Sequence, residues 1–465
     1  VTAIEIMPVA QFPGARNWGY DGVFPFATQH SYGGPHGLQQ LVDECHQAGL
    51  AVILDVVYNH LGPEGNYLAE FGPYFTDRYQ TPWGSAINFD QSDSDDVRRY
   101  FIENALQWIE DFHIDALRLD AVHAIIDHSA VPFLEELATT VHQRAEALGR
   151  RAYLIAESDL NDPRVVAPSE LGGLGLDSMW SDDFHHAAHV LLTGEKSGYY
   201  ADFGKVEHLA NAWRMGMSSP GEISPHRRRR HGRPAQLRPQ QCVVCIQNHD
   251  QVGNRLLGER SSALIGFEQQ KLAAGVLCLS PFIPMLFMGE EYGETAPFLY
   301  FVSHGEAELL EAVRRGRAAE FAAFGWQKEA DDPGAVETFR RCVLNHELRS
   351  QSPHAALYAL HERLLALRAR IAPKAPDQTT SFEAQRLLFV QRGQQAWMAF
   401  ALSANAASVS LPVPPGSYRR VLSSAGSEWD GPGDLTPELI ETTGEVQLKL
   451  EPYSFVVYAP TSAEL

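Results

Sequence analysis

The first three hundred residues alternate between short apolar runs and longer amphipathic stretches. Between the short runs, apolar residues recur three to four positions apart in GLQQLVDECHQAG, DDVRRYFIENALQWIEDF and VPFLEELATTVHQRAEALG, which predicts helices. Gly49 and Gly149 follow two of these stretches, where a helix commonly ends. The short runs have the character of buried strands: VTAIEIMPV, LAVILDVVY, IDALRLDAV, AYLIAES, DSMWSDDF, QCVVCIQN and FIPMLFMGEE. Strand followed by helix, repeated, predicts a parallel sheet.

The number and spacing of these strands favour a TIM barrel over a doubly wound sheet. Seven strands occur where a closed barrel has eight, and long loops follow several of them. The chain begins at Val1 directly in a strand pattern, so we expect a fragment that is one strand short of a closed (β/α)8 barrel. The predicted catalytic barrel covers residues 1–375, with a short loop excursion over 61–92 and a closing helix over 352–370.

The pattern changes after the closing helix. Short alternating runs separated by turn residues, RLLFVQRG, AWMAFALS, GEVQLKLE and SFVVYAP, predict a small antiparallel β domain over residues 376–465. Before it, the basic stretch GEISPHRRRRHGRPAQLRP at 221–239 contains proline and glycine, so it is predicted to form neither helix nor strand. Two interpretations stay open for it: a solvated basic loop, or a loop that touches substrate hydroxyls.

Composition and charge exclude several classes of partner. The 465 residues are 45% hydrophobic and 20% charged, and the net charge of -21 disfavours nucleic acid or an anionic membrane. No apolar run is long enough to span a membrane, and no signal-peptide pattern opens the chain. Five cysteines do not form a disulfide framework, and Cys242 and Cys245 are predicted to be buried core residues of a strand. We therefore predict a cytoplasmic enzyme with a neutral substrate; the oligomeric state stays open.

The stretch HIDALRLDAVHA contains the first candidate chemistry. Its strand-like alternation places Arg118 and Asp120 on one face, where either a buried ion pair or an active site is possible. Other predicted strands end in similar groups, and the carboxyl ends of barrel strands build active sites. We therefore expect convergence of the groups at these ends: Asp55, Asn59 and His60 in DVVYNH, Glu157 in IAES, and His249 and Asp250 in QNHD.

Paired carboxyl groups at a barrel mouth suit glycoside cleavage. A retaining glycosidase holds its two carboxyl groups about 5 to 5.5 Å apart, one as nucleophile and one as acid. Arg118 would keep Asp120 ionised, whereas Glu157, beside apolar Ile155, would stay protonated. A two-metal hydrolase is the alternative, but paired-histidine ligand spacing does not occur near these positions. The excursion lacks the oxygen density of a calcium site, so we predict no metal and no cofactor.

Four motifs, DVVYNH, ALRLDAVHA, IAES and QNHD, resemble the conserved regions of the α-amylase superfamily of glycoside hydrolases, in the same order. The resemblance implies an α-glucan substrate, with Asp120 as nucleophile, Glu157 as general acid and base, and Asp250 as the carboxylate that holds the sugar distorted. It implies that Tyr20 of NWGYDG stacks on the sugar beside the cut. The other residues to which it gives substrate-binding roles are Asp55, His60, Arg118 and His249. The resemblance also implies that the seven strands are strands 2 to 8 of the barrel, and that this chain lacks the first strand and helix.

Further similarity, in PYFTDRYQTPWGSAINFD and QNHDQVGNRLLGER, narrows the resemblance to members that hydrolyse the α-1,4 bond next to a terminal trehalose unit. Four loop residues are predicted to bind the part of the substrate that leaves: His123, Asp127, Asp159 and Asn161. Loop and cap bonding is the alternative for each. If these four residues only shape their loops, the aromatic segment around Trp83 is the alternative source of the preference for a trehalose unit. The rival functions are a branching or debranching enzyme of the same superfamily and a glucan-binding module without activity.

Overall fold

The computed structural model describes residues 1–81, 84–323 and 330–463, so Trp83 lies outside the described residues. The strands, in chain order, are β1 (Ala3–Ile6), β2 (Ala10–Gln11), β3 (Phe24–Thr28), β4 (Ala51–Val56), β5 (Phe75–Thr81), β6 (Gly84–Ile87), β7 (Ala116–Leu119), β8 (Tyr153–Ala156), β9 (Ser178–Trp180), β10 (Ile223–Ser224), β11 (Arg229–Arg230), β12 (Cys242–Cys245), β13 (Ile283–Met285), β14 (Gln378–Phe382), β15 (Leu387–Arg392), β16 (Ala396–Ala401), β17 (Ala407–Leu411), β18 (Gly416–Ser423), β19 (Leu439–Thr442), β20 (Val446–Leu450) and β21 (Phe455–Pro460). The α-helices are α1 (Gly34–Gln47), α2 (Ser94–Glu110), α3 (Phe133–Ala147), α4 (Asp182–Thr193), α5 (Val206–Met215), α6 (His249–Gly253), α7 (Ser261–Leu264), α8 (Phe267–Leu279), α9 (Ala307–Ala323), α10 (Val336–Arg341) and α11 (His354–Arg370).

The chain divides into two compact units. The first unit comprises Val1–Trp180, Tyr300–Glu320 and Asp331–Phe339. The second unit comprises Ser181–Leu299, Phe321–Ala330 and Arg340–Leu465. The predicted domain boundary between residues 375 and 376 falls within the second unit and stays a prediction.

The first unit contains a parallel sheet in the order β1, β4, β7, β8, β9. In its register Glu5 faces Ile53, Asp55 faces Arg118, and Arg118 faces Ile155. Because residues paired across neighbouring strands point to the same side, Glu5, Asp55 and Arg118 share one face of the sheet. The strand ends that the sequence singled out therefore place their charged groups on a common surface.

The second unit contains the parallel pair β12 and β13 and the antiparallel C-terminal strands. Six of these strands form one sheet in the order β14, β15, β16, β21, β18, β19, and β17 pairs with β20. Their apolar core includes Trp397, whose ring stacks on Tyr458 with centroids 4.3 Å apart. Parallel strands alternating with helices, followed by antiparallel strands, confirm the predicted fold class.

The basic stretch at 221–239 differs from its prediction, because β10 pairs with β11 in a short antiparallel hairpin. The turn is held by the Ser224 hydroxyl, which accepts the backbone N–H of Arg227 at 2.9 Å. Asp202 accepts the backbone N–H of His226 at 2.9 Å and the hydroxyl of Ser224. Asp202 lies outside the stretch, so the composition of the stretch alone did not indicate its contacts with Ser224 and His226.

The five cysteines are buried thiols, which confirms the prediction of core positions for Cys242 and Cys245. Over the described part of the chain, a helix with the length and apolarity to cross a membrane does not occur.

Candidate active site

A buried guanidinium, that of Arg118, is the centre of the site in the first unit. Its Nη1 donates to Asp55 Oδ2 at 2.7 Å and to Asp120 Oδ1 at 3.0 Å. Its Nη2 lies 2.8 Å from Glu157 Oε2. The guanidinium also lies over the ring of Trp180, 4.2 Å from its centroid, which is a cation–π arrangement. One positive group thus contacts three carboxylates, and all of them come from the ends of adjacent parallel strands.

Asp120 is held at both carboxylate oxygens. Oδ1 accepts from Arg118, and Oδ2 accepts from Asn59 Nδ2 at 2.7 Å. Asn59 also donates to the Asp120 backbone carbonyl at 2.8 Å. The Asp120 side chain keeps 11% of its surface exposed, although Arg118 beneath it is fully buried. Two fixed donors and an open edge are what an attacking carboxylate requires, because they hold it in one orientation.

Glu157 lies against the same guanidinium and also accepts the backbone N–H of Ala121 at 2.8 Å. Ala121 follows Asp120 directly and has left-handed backbone angles, with φ 38 and ψ 53. That turn directs the N–H of Ala121 towards Glu157. Sequence reasoning assigned Arg118 to Asp120 alone, whereas the structure shares it between both carboxylates. The contrast between an ionised and a protonated carboxyl therefore cannot rest on Arg118 alone.

Tyr20, Asp55 and His60 form the side of the site next to these carboxylates. The Tyr20 hydroxyl donates to Asp55 Oδ2 at 2.6 Å. His60 Nε2 donates to the Tyr20 backbone carbonyl at 2.8 Å, and its Nδ1 contacts the Asn59 side chain. Burial raises the pKa of Asp55 and lowers that of His60, while Arg118 opposes the first shift and Asp120 the second. The Tyr20 hydroxyl thus orients the Asp55 carboxylate, and the Tyr20 backbone orients the His60 imidazole.

Sequence reasoning missed Glu5 and Trp180 and did not assign Asn59 a role of its own. Glu5 lies on the same face of the sheet as Asp55 and Arg118, and burial raises the pKa of Glu5 from 4.5 to about 7. The Arg118 guanidinium opposes that rise and the Glu157 carboxylate adds to it. The alternation of AIEI already placed a charge on the inner face of β1, and the run DSMW ended at Trp180, so both signals were present.

The four predicted leaving-side residues have different surroundings. His123 and Asp159 face each other with Nε2 and Oδ1 3.9 Å apart, and about a third of each side chain is exposed. Asn161 is buried at a turn with φ 52. Asp127 is 4% exposed and accepts from Arg98 at 2.8 Å and from the backbone N–H of Ser129 at 2.7 Å. This geometry favours substrate contact for His123 and Asp159, and a structural role for Asp127.

His249 and Asp250 lie in the second unit, at the start of α6. The Asn248 side chain caps this helix by accepting the backbone N–H of Gln251 at 2.8 Å. His249 is buried, and its Nε2 lies 3.4 Å from Asp250 Oδ2. The Asp250 side chain is 35% exposed. Their meeting with Asp120 and Glu157, and a 5 to 6 Å separation of the latter pair, stay predictions.

A group of three or more His, Cys, Asp or Glu side chains able to hold a metal ion is not found within residues 1–81, 84–323 and 330–463. The predicted absence of a metal requirement remains a prediction.

The alternating parallel strands and the clustered carboxylates define the class of protein, an α-amylase-type glycoside hydrolase. The family model for the alpha amylase catalytic domain matches residues 1–81. A crystal structure described as a putative alpha amylase from Salmonella typhimurium is 38% identical, with a TM-score of 0.85 over 99% of this chain and 76% of that one.

Relatives of known name identify the family more closely. Malto-oligosyltrehalose trehalohydrolase of Saccharolobus solfataricus is 54% identical over 321 residues, a match that covers 69% of this chain and 56% of that protein. The enzyme of the same name from Arthrobacter ramosus is 46% identical and covers 93% of this chain and 76% of its own length. A Geobacillus stearothermophilus 1,4-alpha-glucan branching enzyme is 38% identical over only 39% of this chain and 30% of that protein. The chain belongs to the malto-oligosyltrehalose trehalohydrolase family.

Proposed function

We propose that this chain is the catalytic part of a retaining glycoside hydrolase that acts on malto-oligosyltrehalose. The bond cleaved is the α-1,4 bond next to the terminal trehalose unit, and the products are trehalose and a shortened maltooligosaccharide. The observation that supports this most is that Asp55, Asp120 and Glu157 share one buried guanidinium, that of Arg118. A relative that matches 93% of this chain carries the trehalohydrolase name.

The proposed reaction has two steps. Asp120 attacks the anomeric carbon while Glu157 donates its proton to the departing glycosidic oxygen, so that one C–O bond forms and one breaks. Glu157 then removes a proton from water, and the resulting hydroxide displaces Asp120 from the sugar. Asp250 holds the sugar ring distorted in this scheme, and Tyr20 and His60 contact the same ring. The contacts of Asn59 and Arg118 with Asp120 keep the attacking oxygen oriented.

The part of the substrate that leaves is a compact disaccharide rather than a continuing chain. We assign its recognition to His123 and Asp159, because both are partly exposed and lie just after the strands that carry the two catalytic carboxyl groups. Asn161 and Asp127 are assigned to shaping the same loops. A cytoplasmic location, predicted from the sequence patterns and supported by the cysteine content, is part of the same proposal.

A branching or debranching enzyme is the second candidate, because the branching enzyme match shares part of the chain. Product analysis separates the two. Incubation with malto-oligosyltrehalose is expected to release trehalose, and NMR of the first product is expected to show a retained anomeric configuration. New α-1,6 linkages, or release of side chains from branched glucan without trehalose, would overturn the proposal. An inverted configuration would reject the retaining mechanism and the assignment of Asp120 as nucleophile, but not the substrate.

A further inference from the structure

The six residues Tyr300–Gly305, called the 300–305 segment below, contact the loop that carries Tyr20. The two are far apart in the sequence but belong to the same unit. This Tyr20 loop comprises residues 12–23. The Ser303 hydroxyl accepts the backbone N–H groups of Ala15 and Arg16 at 2.9 and 3.0 Å. The Tyr300 ring packs edge-on against Trp18, with centroids 5.1 Å apart. The segment thus holds the Tyr20 loop through both backbone and ring contacts.

The approach between the two is close enough to restrict the sequence. A Cβ atom on Gly14 would lie 2.2 Å from Ser303 Oγ and 2.3 Å from the Ser303 carbonyl oxygen. Gly14 also has a φ of 75, a conformation that favours glycine. A residue with a side chain at position 14 would therefore disrupt the contact with Ser303.

His304 lies between two carboxylates that the proposed reaction does not use. Its side chain is 1% exposed, with Nδ1 3.2 Å from Glu64 Oε2 and Nε2 3.8 Å from Asp21 Oδ2. Glu64 also accepts the backbone N–H of Gly305 at 3.0 and 3.1 Å. Since Glu64 belongs to the 61–92 excursion and Asp21 to the Tyr20 loop, one imidazole joins three separate parts of the first unit.

A short chain of contacts runs from Asp21 to the site. Asn17 Nδ2 donates to Asp21 Oδ2 at 2.6 Å, and Asn17 Oδ1 accepts the backbone N–H of Gly19 at 2.7 Å. Gly19 precedes Tyr20, whose hydroxyl donates to Asp55 at 2.6 Å. The position of the Tyr20 ring therefore depends on how the loop is held at Asp21.

We propose that His304 is a positioning residue that fixes the Tyr20 loop against Glu64, and so sets where the Tyr20 ring meets the sugar. This inference rests on the proposed function. A buried imidazole between two acids contributes little net stability to a fold, since apolar residues of similar volume often stabilise it equally well. Such an arrangement is useful when the relative placement of three segments matters more than the free energy of unfolding.

The test is a double-mutant cycle between His304→Asn and Tyr20→Ala, read as kcat/KM on malto-oligosyltrehalose. The asparagine amide keeps a donor towards Glu64 and removes the group that faces Asp21. We expect His304→Asn alone to lower kcat/KM about 10- to 100-fold. A mutation remote from the reacting atoms has effects of this size when it misplaces a substrate-positioning group by about 1 Å. In the Tyr20→Ala background the same change is expected to cost less than about two-fold, since nothing remains to be positioned. Equal losses in both backgrounds would overturn the proposal.

Matched variants keep the result interpretable. Arg314→Gln removes an exposed ion pair with Asp332 in the same unit and is expected to leave kcat/KM unchanged. Ser303→Ala removes the acceptor of two backbone N–H groups and gives a second route to the same loop if His304→Asn fails to fold. We expect it to lower kcat/KM and to lose that effect in the Tyr20→Ala background.

Binding separates this inference from the proposed function. The same cycle is measured on the Kd for a maltooligosaccharide by calorimetry. If the wild-type protein binds glucan without releasing trehalose, the proposed function fails, and the cycle on Kd still decides the role of His304. Additive losses of affinity would then reject the positioning role.

Discussion

Two buried arginines, Arg118 in the first unit and Arg392 in the second, show how similar groups serve different ends. Arg118 contacts three carboxylates, those of Asp55, Asp120 and Glu157. Arg392 contacts the single carboxylate of Asp377, with Nη2 2.6 Å from Oδ2 and Nε 2.9 Å from Oδ1. The first group has a surplus of negative charge, whereas the second is balanced.

The surroundings of Arg392 complete the contrast. Its Nη2 also donates to the Leu279 backbone carbonyl at 2.7 Å, and the Trp213 indole N–H donates to Asp377 at 2.9 Å. Both partners of this ion pair are almost fully buried. At Arg118, by contrast, Asp120 and Glu157 keep 11% and 19% of their side chains exposed. Surplus charge with an edge left open indicates chemistry, and balanced charge sealed from water indicates structure.

The largest expected effect tests the surplus charge. Asp120→Asn is expected to lower kcat by roughly 10⁴-fold, because it removes a group that acts in the transition state, while substrate affinity changes little. It also removes a carboxylate from a group in which three carboxyl groups share one guanidinium, so we expect the free energy of unfolding to stay level or to rise. Reducing-sugar release at saturating substrate and thermal unfolding measure the two parts. Activity above a tenth of the wild-type value would contradict the role of Asp120.

The balanced pair is expected to respond in the opposite way. Asp377→Ala leaves Arg392 buried without its carboxylate, which is expected to cost about 3 to 5 kcal/mol of unfolding free energy. The kcat of the folded protein is expected to stay near the wild-type value. Urea unfolding gives the first quantity, and a double variant with Arg392→Met is expected to recover much of the loss. A selective loss of kcat with normal stability would remove the distinction between the two arginines.

Glu5 sharpens the comparison through pH. Its pKa is raised from 4.5 to about 7 in the folded protein, so the folded state binds the proton more tightly than the unfolded state. Stability is then unaffected below about pH 4.5 and falls as pH rises towards 7, by at most about 3 kcal/mol for a shift of this size. Glu5→Gln is expected to abolish that fall and to be the more stable protein above pH 7. Parallel pH profiles of unfolding free energy for the two proteins would refute this account.

The smallest expected effect is on substrate preference, at the residues proposed to bind the trehalose unit that leaves. Asp159→Ala is expected to reduce kcat/KM on malto-oligosyltrehalose by about 1 to 3 kcal/mol more than on a plain maltooligosaccharide of equal length. Asp127→Ala is the control, because its ion pair with Arg98 resembles that of Arg392, so we expect lost stability without a change of preference. Equal losses on both substrates for Asp159→Ala would mean that the preference arises elsewhere.

Sequence patterns were sufficient for the strands of the parallel sheet and for the charged residues at their ends, but not for the β10–β11 hairpin. Alternation in ALRLD placed Arg118 and Asp120 on one face, and the parallel register then aligned Arg118 with Asp55. The resemblance to the α-amylase superfamily assigned Tyr20, His60 and Glu157 to the same site, and their roles stay predictions. These features depend on local periodicity and on neighbouring strands, which a sequence contains directly.

Contacts between segments that are distant in the sequence could not be predicted from sequence patterns. Asp127 is buried because Arg98, 29 residues earlier on α2, extends to it. Asp377 and Arg392 occur in no recognisable motif, and their pairing follows from how the C-terminal strands pack. The two hydrogen bonds from Asn59 to Asp120 depend on the backbone path after β4. Each of these is set by tertiary placement, which periodicity does not encode.

The left-handed backbone of Ala121 limits which residues position 121 can accept in a redesigned protein. Its left-handed backbone is costly for a residue with a side chain, and the same turn directs its N–H to Glu157. A β-branched residue at this position would increase that cost, and a glycine would remove it while letting the peptide group swing away. Substitutions at position 121 would therefore alter the orientation of the Asp120 and Glu157 carboxyl groups together, so we expect few of them to be tolerated.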